Sequence, residues 1–275
     1  MRKPEPHPEA QGRVLIIAGS DPGGGAGIQA DIKTVTALGG YAMTAITAIT
    51  AQDTTGIGAI HPVPAEIVRA QIARCLADIG ADAIKTGMLG SVEMVEAVAT
   101  LLDEAAGVPA VIDPVMIAKG GAALQQADAL AAVRALLLPR AALLTPNAPE
   151  AAALTGLAVE TTDDLRRAGE ALLNLGAKAV LMKGGHIAGA TVVDVLITPD
   201  GETTLEGPRL DTRHTHGTGC TLASACAAGL AQGLPLSEAV ARAWDYTAEA
   251  IRRAPGFGAG HGPLDHGWPL RETGR

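Results

Sequence analysis

Aromatic side chains are scarce: two Trp, two Tyr and one Phe in 275 residues. So few stacking platforms argue against single-stranded nucleic-acid binding. Basic charge is short as well. Lys and Arg total 21 against 29 Asp and Glu, the formal net charge is −8, and no basic patch appears. Nucleic acid is therefore not an expected partner. Three cysteines, Cys75, Cys220 and Cys226, are scattered without a C-x-x-C pair. They make no disulfide framework and fit a reducing cytoplasm. No apolar run reaches the ~18 residues that cross a bilayer, so no membrane segment is expected. No Pro/Ser-rich linker or charge run divides the chain. Residues 1–12 are Pro- and charge-rich, lack the apolar core of a signal peptide, and are expected to be a disordered tail. Residues 13–275 then form one domain, and 48% hydrophobic residues supply a large core.

Two nucleotide signatures are also missing. The turn Gly19-Ser-Asp-Pro-Gly-Gly-Gly-Ala-Gly27 follows a strand-like run and opens a helix, yet its spacing does not fit G-x-G-x-x-G. Nor does a G-x(4)-G-K-[ST] element occur. The turn offers instead a backbone that a small ligand can approach closely.

What is present centres on residues 214–221, His-Thr-His-Gly-Thr-Gly-Cys-Thr, followed at once by an apolar run of small residues. The run reads as a buried helix, and Gly217-Thr218-Gly219 as the loop leading into it. Glycines let several N–H groups converge, and the first helical turn adds unpaired donors and the positive end of the dipole. That is an anion site, most often for phosphate. Cys220 stands at the helix start, where thiol pKa values fall. The same letters also suit a plain turn with Cys220 as a small core residue.

Strand-like and helix-like stretches alternate along the chain, from Arg13–Ala18 and a helix near Ala26–Leu38 to a final amphipathic helix over Leu236–Arg253. The pattern predicts an α/β fold, doubly wound around a mainly parallel central sheet with helices on both faces. Tyr41–Ala51 reads as one β-prone run, which places Gln52 at the end of a parallel strand. Ala122–Leu138 reads as helix. Thr191–Ile197 and Glu202–Glu206 read as a hairpin about Pro199-Asp200-Gly201. The tail Gly256–Pro263 reads as a mobile loop by composition. Asp21, Gln52, Met88, Asp113, Asn147 with Glu150, Lys183 and Cys220 all follow strands, and a parallel sheet gathers such loops on one edge. Gln52 carries a donor and an acceptor side by side, which suits an aminopyrimidine edge. Asp31 alone reads as an early-helix acid favourable to the dipole. Asp113 suits metal or phosphate chemistry, or equally a turn.

Seven motifs in order resemble the ribokinase-like family and, within it, the hydroxymethylpyrimidine/phosphomethylpyrimidine kinase branch. They are residues 18–31, Ala48-Ile-Thr-Ala-Gln52, residues 84–89, residues 111–116, Thr145-Pro-Asn-x-x-Glu150, residues 181–186 and Thr215-His-Gly-Thr-Gly-Cys220. The resemblance implies a ribokinase-like fold, ATP and Mg²⁺ as cofactors, a small pyrimidine as substrate and a homodimer. It makes Gln52 the pyrimidine-reading amide, with Asp31, Ala26 and Met88 as walls of that pocket. Asn147 and Glu150 resemble the element that organises Mg²⁺ around the ATP phosphates, with Asp113 a further member of that region. Lys183 would face phosphate, Gly217, Thr218 and Gly219 would form the anion hole, and Cys220 would stand in the place of the base. Asp21-Pro-Gly-Gly and Asp53 are small departures from the pattern. A pyridoxal kinase of the same fold is the alternative. A catalytically silent binding protein is expected to have lost Glu150, Lys183 or the glycine loop, and this sequence keeps them. Segments 184–190 and 256–263 are the candidate lids.

Overall fold

Val14 to Ala18 are all buried. A strand covered on both faces needs helices on both sides, and the chain supplies them. A computed structural model describes residues 11–116 and 127–272. The first half contains β1 (Arg13–Ala18), α1 (Gly27–Ala37), β2 (Tyr41–Ile46), β3 (Ala48–Gln52), β4 (Ile57–Pro62), α2 (Ala65–Asp78), β5 (Ala83–Thr86), α3 (Val92–Glu104) and β6 (Ala110–Ile112). The second contains α4 (Ala127–Ala132), β7 (Leu143–Leu144), α5 (Ala148–Thr155), α6 (Thr162–Asn174), β8 (Val180–Met182), β9 (Thr191–Thr198) and β10 (Gly201–Pro208). It closes with α7 (Thr218–Ala231), α8 (Leu236–Arg252) and α9 (Trp268–Glu272).

The main sheet runs β10-β9-β8-β7-β6-β5-β1-β2. Strands β2, β1, β5, β6, β7 and β8 are parallel, and β9 and β10 add an antiparallel edge hairpin. Side chains alternate across it with the period of two that strands impose. Leu15, Ile17, Ile84, Ile112, Leu144 and Val180 join the core shared with α2, α3, α5 and α6. Val14, Ile16, Ala83, Val111, Leu143 and Leu181 join the one shared with α1, α7 and α8. The small residues of α7 allow close approach: a Cβ on Gly229 would lie 2.7 Å from Ala239 Cβ. Ser91 caps α3 by accepting from Met94 N, as its position before the helix suggests.

The structure corrects some of these readings and refines others. The run 41–51 is not one strand. Thr47 bends the chain, its hydroxyl donating to Met88 O at 2.6 Å and its N–H to Ala18 O at 3.0 Å. Beyond it β3 pairs antiparallel with β4 in a separate two-stranded sheet. Gln52 therefore ends a hairpin strand rather than a parallel one. In the run 122–138, residues 122–126 lie outside the described residues, and α4 passes into a π turn over Val133–Leu137 and a 3-10 turn over Leu138–Arg140. Pro139, which has no N–H to donate, accounts for the change of helical register. Segment 256–263 is packed. His261 N–H donates to Thr54 O at 2.8 Å, and added Cβ atoms on Gly258 and Gly260 would lie 2.2 and 2.0 Å from Thr54. Its glycines permit close approach. Helix α9 carries no signal that marked it in the sequence. Residues 1–10 of the expected N-terminal tail lie outside the described residues.

His266 ties the C-terminal segment to the start of α7, its Nε2 3.0 Å from Thr221 Oγ1. Burial, aided by Lys33, pushes its imidazole from 6.5 to about 4. The unfolded chain thus takes up a proton near pH 6.5 that the folded chain refuses until near pH 4. Stability from this group is present above pH 6.5 and declines as pH falls toward 4, by up to about 3 kcal/mol. Urea unfolding of wild type and His266→Gln at pH 7 and pH 4.5 should show a shallower loss in the variant. Parallel losses would contradict this assignment.

Candidate active site

A cleft of about 1340 Å³ opens at the carboxyl ends of the parallel strands. Loops after β1, β5, β6, β7 and β8 meet there with the start of α7, the usual position for a ligand on such a sheet.

At one end the side chains suit phosphate. Lys183 follows β8, and its Nζ lies 2.9 Å from Asp113 Oδ1 and 3.8 Å from Glu150 Oε2. Thr145 Oγ1 donates to the same Asp113 oxygen at 3.2 Å. Asn147 and Glu150 close the N-terminus of α5 as a capping box. Glu150 N donates to Asn147 Oδ1 at 2.9 Å, and Asn147 N to Glu150 Oε2 at 2.8 Å. Burial pushes the Glu150 carboxyl up to about 7, although Lys183 opposes the shift. Lys183 stays charged because Asp113 and Glu150 outweigh its own burial.

Helix α7 begins beside this pair. No side chain caps it, and Gly217, Thr218, Gly219 and Cys220 line the cleft. Gly217 has φ +84°, and a Cβ there would lie 1.8 Å from Gly25 O. Only glycine fits that contact. Gly219 faces the charges: its added Cβ would sit 3.2 Å from Lys183 Nζ and 3.7 Å from Asp113 Oδ2. The expectation that helix position lowers the Cys220 pKa is overturned. Burial pushes the thiol up to about 11, with Asp31 and Asp113 adding to the rise and Lys85 opposing it. Desolvation and two nearby acids outweigh the helix end.

At the cleft floor, which Lys85 helps to line, lies a pair that the sequence did not reveal. Lys85, in the middle of β5, is fully buried and bonds both oxygens of Asp31 at 3.0 and 2.9 Å. Ser224 of α7 donates to Asp31 Oδ1 at 2.6 Å. Asp31 is therefore neither a pocket wall nor a solvated acid. It faces α7 and β5, and its carboxylate is consumed in holding them together. Lys85 stays protonated because Asp31, Cys220 and Asp113 outweigh its burial. The signal available for Lys85 was a charged residue inside an otherwise apolar strand.

The other end is lined by Ala26, Met88 and Gln52. Here Asp21 binds the glycine loop: its carboxylate accepts from Gly23 N at 2.8 Å, Gly25 N at 3.0 Å and Ala26 N at 2.8 Å. Burial pushes its pKa up, but the hydrogen bonds from His216 and these N–H groups prevail and hold it below the usual range. His216 Nε2 lies 3.0 Å from Asp21 Oδ2 and 3.0 Å from the Gln52 amide. His216 was inside the motif but had no expected role. The geometry thus brings Ala26, Met88, Gln52, Asp113, Asn147, Glu150, Lys183 and Gly217 to Cys220 onto one cleft and leaves out Asp31 alone. Of the two candidate lids, 184–190 is held by Arg209, whose guanidinium donates to Gly185 O at 2.8 Å and Gly189 O at 2.8 Å.

Fold and cleft together define a phosphotransferase of the ribokinase-like class. The family model described as phosphomethylpyrimidine kinase matches residues 21–265. The chain belongs to that family. A hydroxymethylpyrimidine/phosphomethylpyrimidine kinase of Streptomyces coelicolor is 52% identical over 259 residues, covering 94% of this chain and 96% of the relative. Among solved structures, the ADP complex of Bacillus subtilis pyridoxal kinase has a TM-score of 0.89 at 38% identity, covering 95% of this chain and 99% of that one. A phosphomethylpyrimidine kinase from Clostridium difficile has a TM-score of 0.78 at 41% identity, covering 87% and 99%. No helix among the described residues is long and apolar enough to cross a membrane.

The two glycines at the start of α7 should fail differently. Gly217→Ala forces a left-handed residue, about 1–2 kcal/mol, onto a backbone overlap, and should lower the melting temperature by several degrees. Gly219→Ala meets the movable end of Lys183, so it should melt near wild type while kcat falls at least about tenfold. Equal melting losses in the two variants would contradict this division.

Proposed function

We propose that the chain transfers the γ-phosphoryl group of ATP to 4-amino-5-hydroxymethyl-2-methylpyrimidine and then to its monophosphate, a step of thiamine biosynthesis. The observation that supports it most is that one cleft is lined both by Gln52 with Ala26 and Met88 and by the α7 start with Lys183. An amide that can read an aminopyrimidine edge and a cradle for a migrating phosphoryl share one space. Transfer of this kind depends on positioning and charge stabilisation more than on covalent chemistry. The N–H groups at 217–220 and the Lys183 ammonium stabilise the charge that develops on the phosphoryl oxygens. As the new O–P bond forms and the bond to the ADP oxygen breaks, the acceptor's hydroxyl proton leaves toward Cys220.

Mg²⁺ fits the donor set. Among the described residues no group of three or more metal-ligating side chains occurs. A Mg²⁺ held mainly by phosphates and waters needs only one or two carboxylates, and Asp113 and Glu150 lie beside Lys183. The buried Glu150 acid is one that a cation would keep ionised. When bound, the ion would supply charge neutralisation at the phosphates. A cytoplasmic homodimer completes the reading.

Pyridoxal is the competing acceptor, favoured by the solved pyridoxal kinase of closely similar fold. Product identification with aminohydroxymethylpyrimidine, its monophosphate and pyridoxal as competing acceptors tests the assignment. The two pyrimidines should be consumed first, and preferential phosphorylation of pyridoxal would overturn it.

Cys220 makes a second prediction. A base at about 11 is mostly protonated at neutrality, and its active form grows as pH rises. The first phosphorylation should therefore climb with pH to beyond 9. The second should level off above about pH 7, because the monophosphate acceptor ionises near 6. Cys220→Ala should slow the first far more than the second and flatten its rise. Equal slowing of both steps would leave Cys220 a positioning role only.

A further inference from the structure

The Gln52 amide can fill its space in two senses, exchanging Oε1 and Nε2 by a half-turn. The groups around it decide between them. Asp21 accepts three backbone N–H bonds and is held ionised, so it can only accept. His216 Nε2, 3.0 Å from Asp21 Oδ2, must then carry a proton, whether or not Nδ1 carries one too. That same nitrogen is 3.0 Å from the end of the amide at which the structure places Gln52 Nε2, an assignment that oxygen and nitrogen of like size leave open to exchange. With Nε2 of Gln52 turned toward it, two donors would face each other. With Oε1 turned toward it, the imidazole N–H is shared between the carboxylate and the amide oxygen.

The far end of the amide agrees. The atom placed there as Oε1 lies 3.4 Å from Thr50 Oγ1, whose single proton goes to the nearer Ser20 O at 2.8 Å. Thr50 thus has lone pairs to offer, and an amide NH₂ satisfies them. One sense of the amide pairs every donor in the chain from Asp21 through His216, Gln52 and Thr50 to Ser20. The other leaves a clash of donors.

We propose that His216 is a positioning residue that fixes the sense of the Gln52 amide, so that the site accepts a 4-aminopyrimidine edge and rejects its 4-oxo counterpart. The inference rests on the reading of Gln52 as the pyrimidine-contacting amide. Locked in this sense, the amide keeps one acceptor position on the His216 side and one N–H on the Thr50 side. An exocyclic amine beside a ring nitrogen complements that order. A 4-oxo group beside a ring N–H presents the reverse order and meets donor with donor. A glutamine free to turn over would accommodate both.

The test measures kcat/KM for 4-amino-5-hydroxymethyl-2-methylpyrimidine and its 4-oxo analogue, together with KM for ATP, in wild type, His216→Phe, His216→Gln, Gln52→Leu and the double variant Gln52→Leu/His216→Phe. Wild type should prefer the amine by roughly 100-fold or more, the scale of a mispaired buried polar group. In His216→Phe the preference should collapse to a few-fold while KM for ATP holds. His216→Gln, which can return an amide N–H to the same place, should restore it. In the Gln52→Leu background His216→Phe should change the preference no further. If Gln52→Leu abolishes the preference but His216→Phe retains it, the role of His216 is overturned and that of Gln52 stands. If Gln52→Leu leaves the preference intact, the reading of Gln52 itself is overturned. Losses in His216→Phe that fall equally on both pyrimidines and on ATP mark a merely structural histidine and also overturn the proposal.

Discussion

The ion pair of Lys183 with Asp113, set against the uncapped end of α7, is the contact on which the site depends. A lysine there is useful only if it stays charged in a place that excludes most water. Burial alone would lower its pKa, and Asp113 and Glu150 more than offset that. The same logic repeats one layer down, where Asp31 keeps Lys85 charged beneath Cys220. Two ammonium groups are thus held ready by acids on neighbouring elements. Breaking either pair by removing one partner would leave an uncompensated buried charge, the costly case for ions in protein interiors.

Glycine is the second constraint, and it works by closeness. At Gly217 the chain takes a left-handed turn against Gly25, so the loop leading into α7 and the loop after β1 touch backbone to backbone. Asp21 then organises the second loop by gathering three of its N–H groups. The result is a cleft whose two ends are built on one continuous set of backbone contacts. The α7 start and the Gln52 end cannot drift apart without breaking them.

Much of this was legible because it is local. Strand and helix alternation, the cap at Ser91 and the turn at Pro199-Asp200-Gly201 each follow from neighbouring letters. The gathering of polar residues on one edge follows from parallel topology. Contacts across long separations escaped. Asp31 and Lys85 are 54 positions apart, and nothing at Asp31 alone distinguishes a surface acid from half of a buried pair. The break at Thr47 depends on Met88, and the Cys220 pKa depends on how deeply it is buried and on acids from α1 and the loop after β6. Asn147 and Glu150 show a subtler limit: the motif that the family resemblance assigns to metal also serves as an ordinary capping box, and sequence cannot separate the two uses. His216 was visible as a letter but gained meaning only beside Asp21 and Gln52.

The link between Thr54 and the segment around Gly260 has an implication for biogenesis. A nascent chain that has emerged only as far as residue 250 already contains Lys183, Cys220 and Gln52. It still lacks Gly262, whose carbonyl accepts from His216 N–H, and the partners that secure the β3–β4 tip. The β3–β4 tip and the start of α7, which His266 holds, would thus both gain their last partners only once the ribosome has delivered the residues beyond α8.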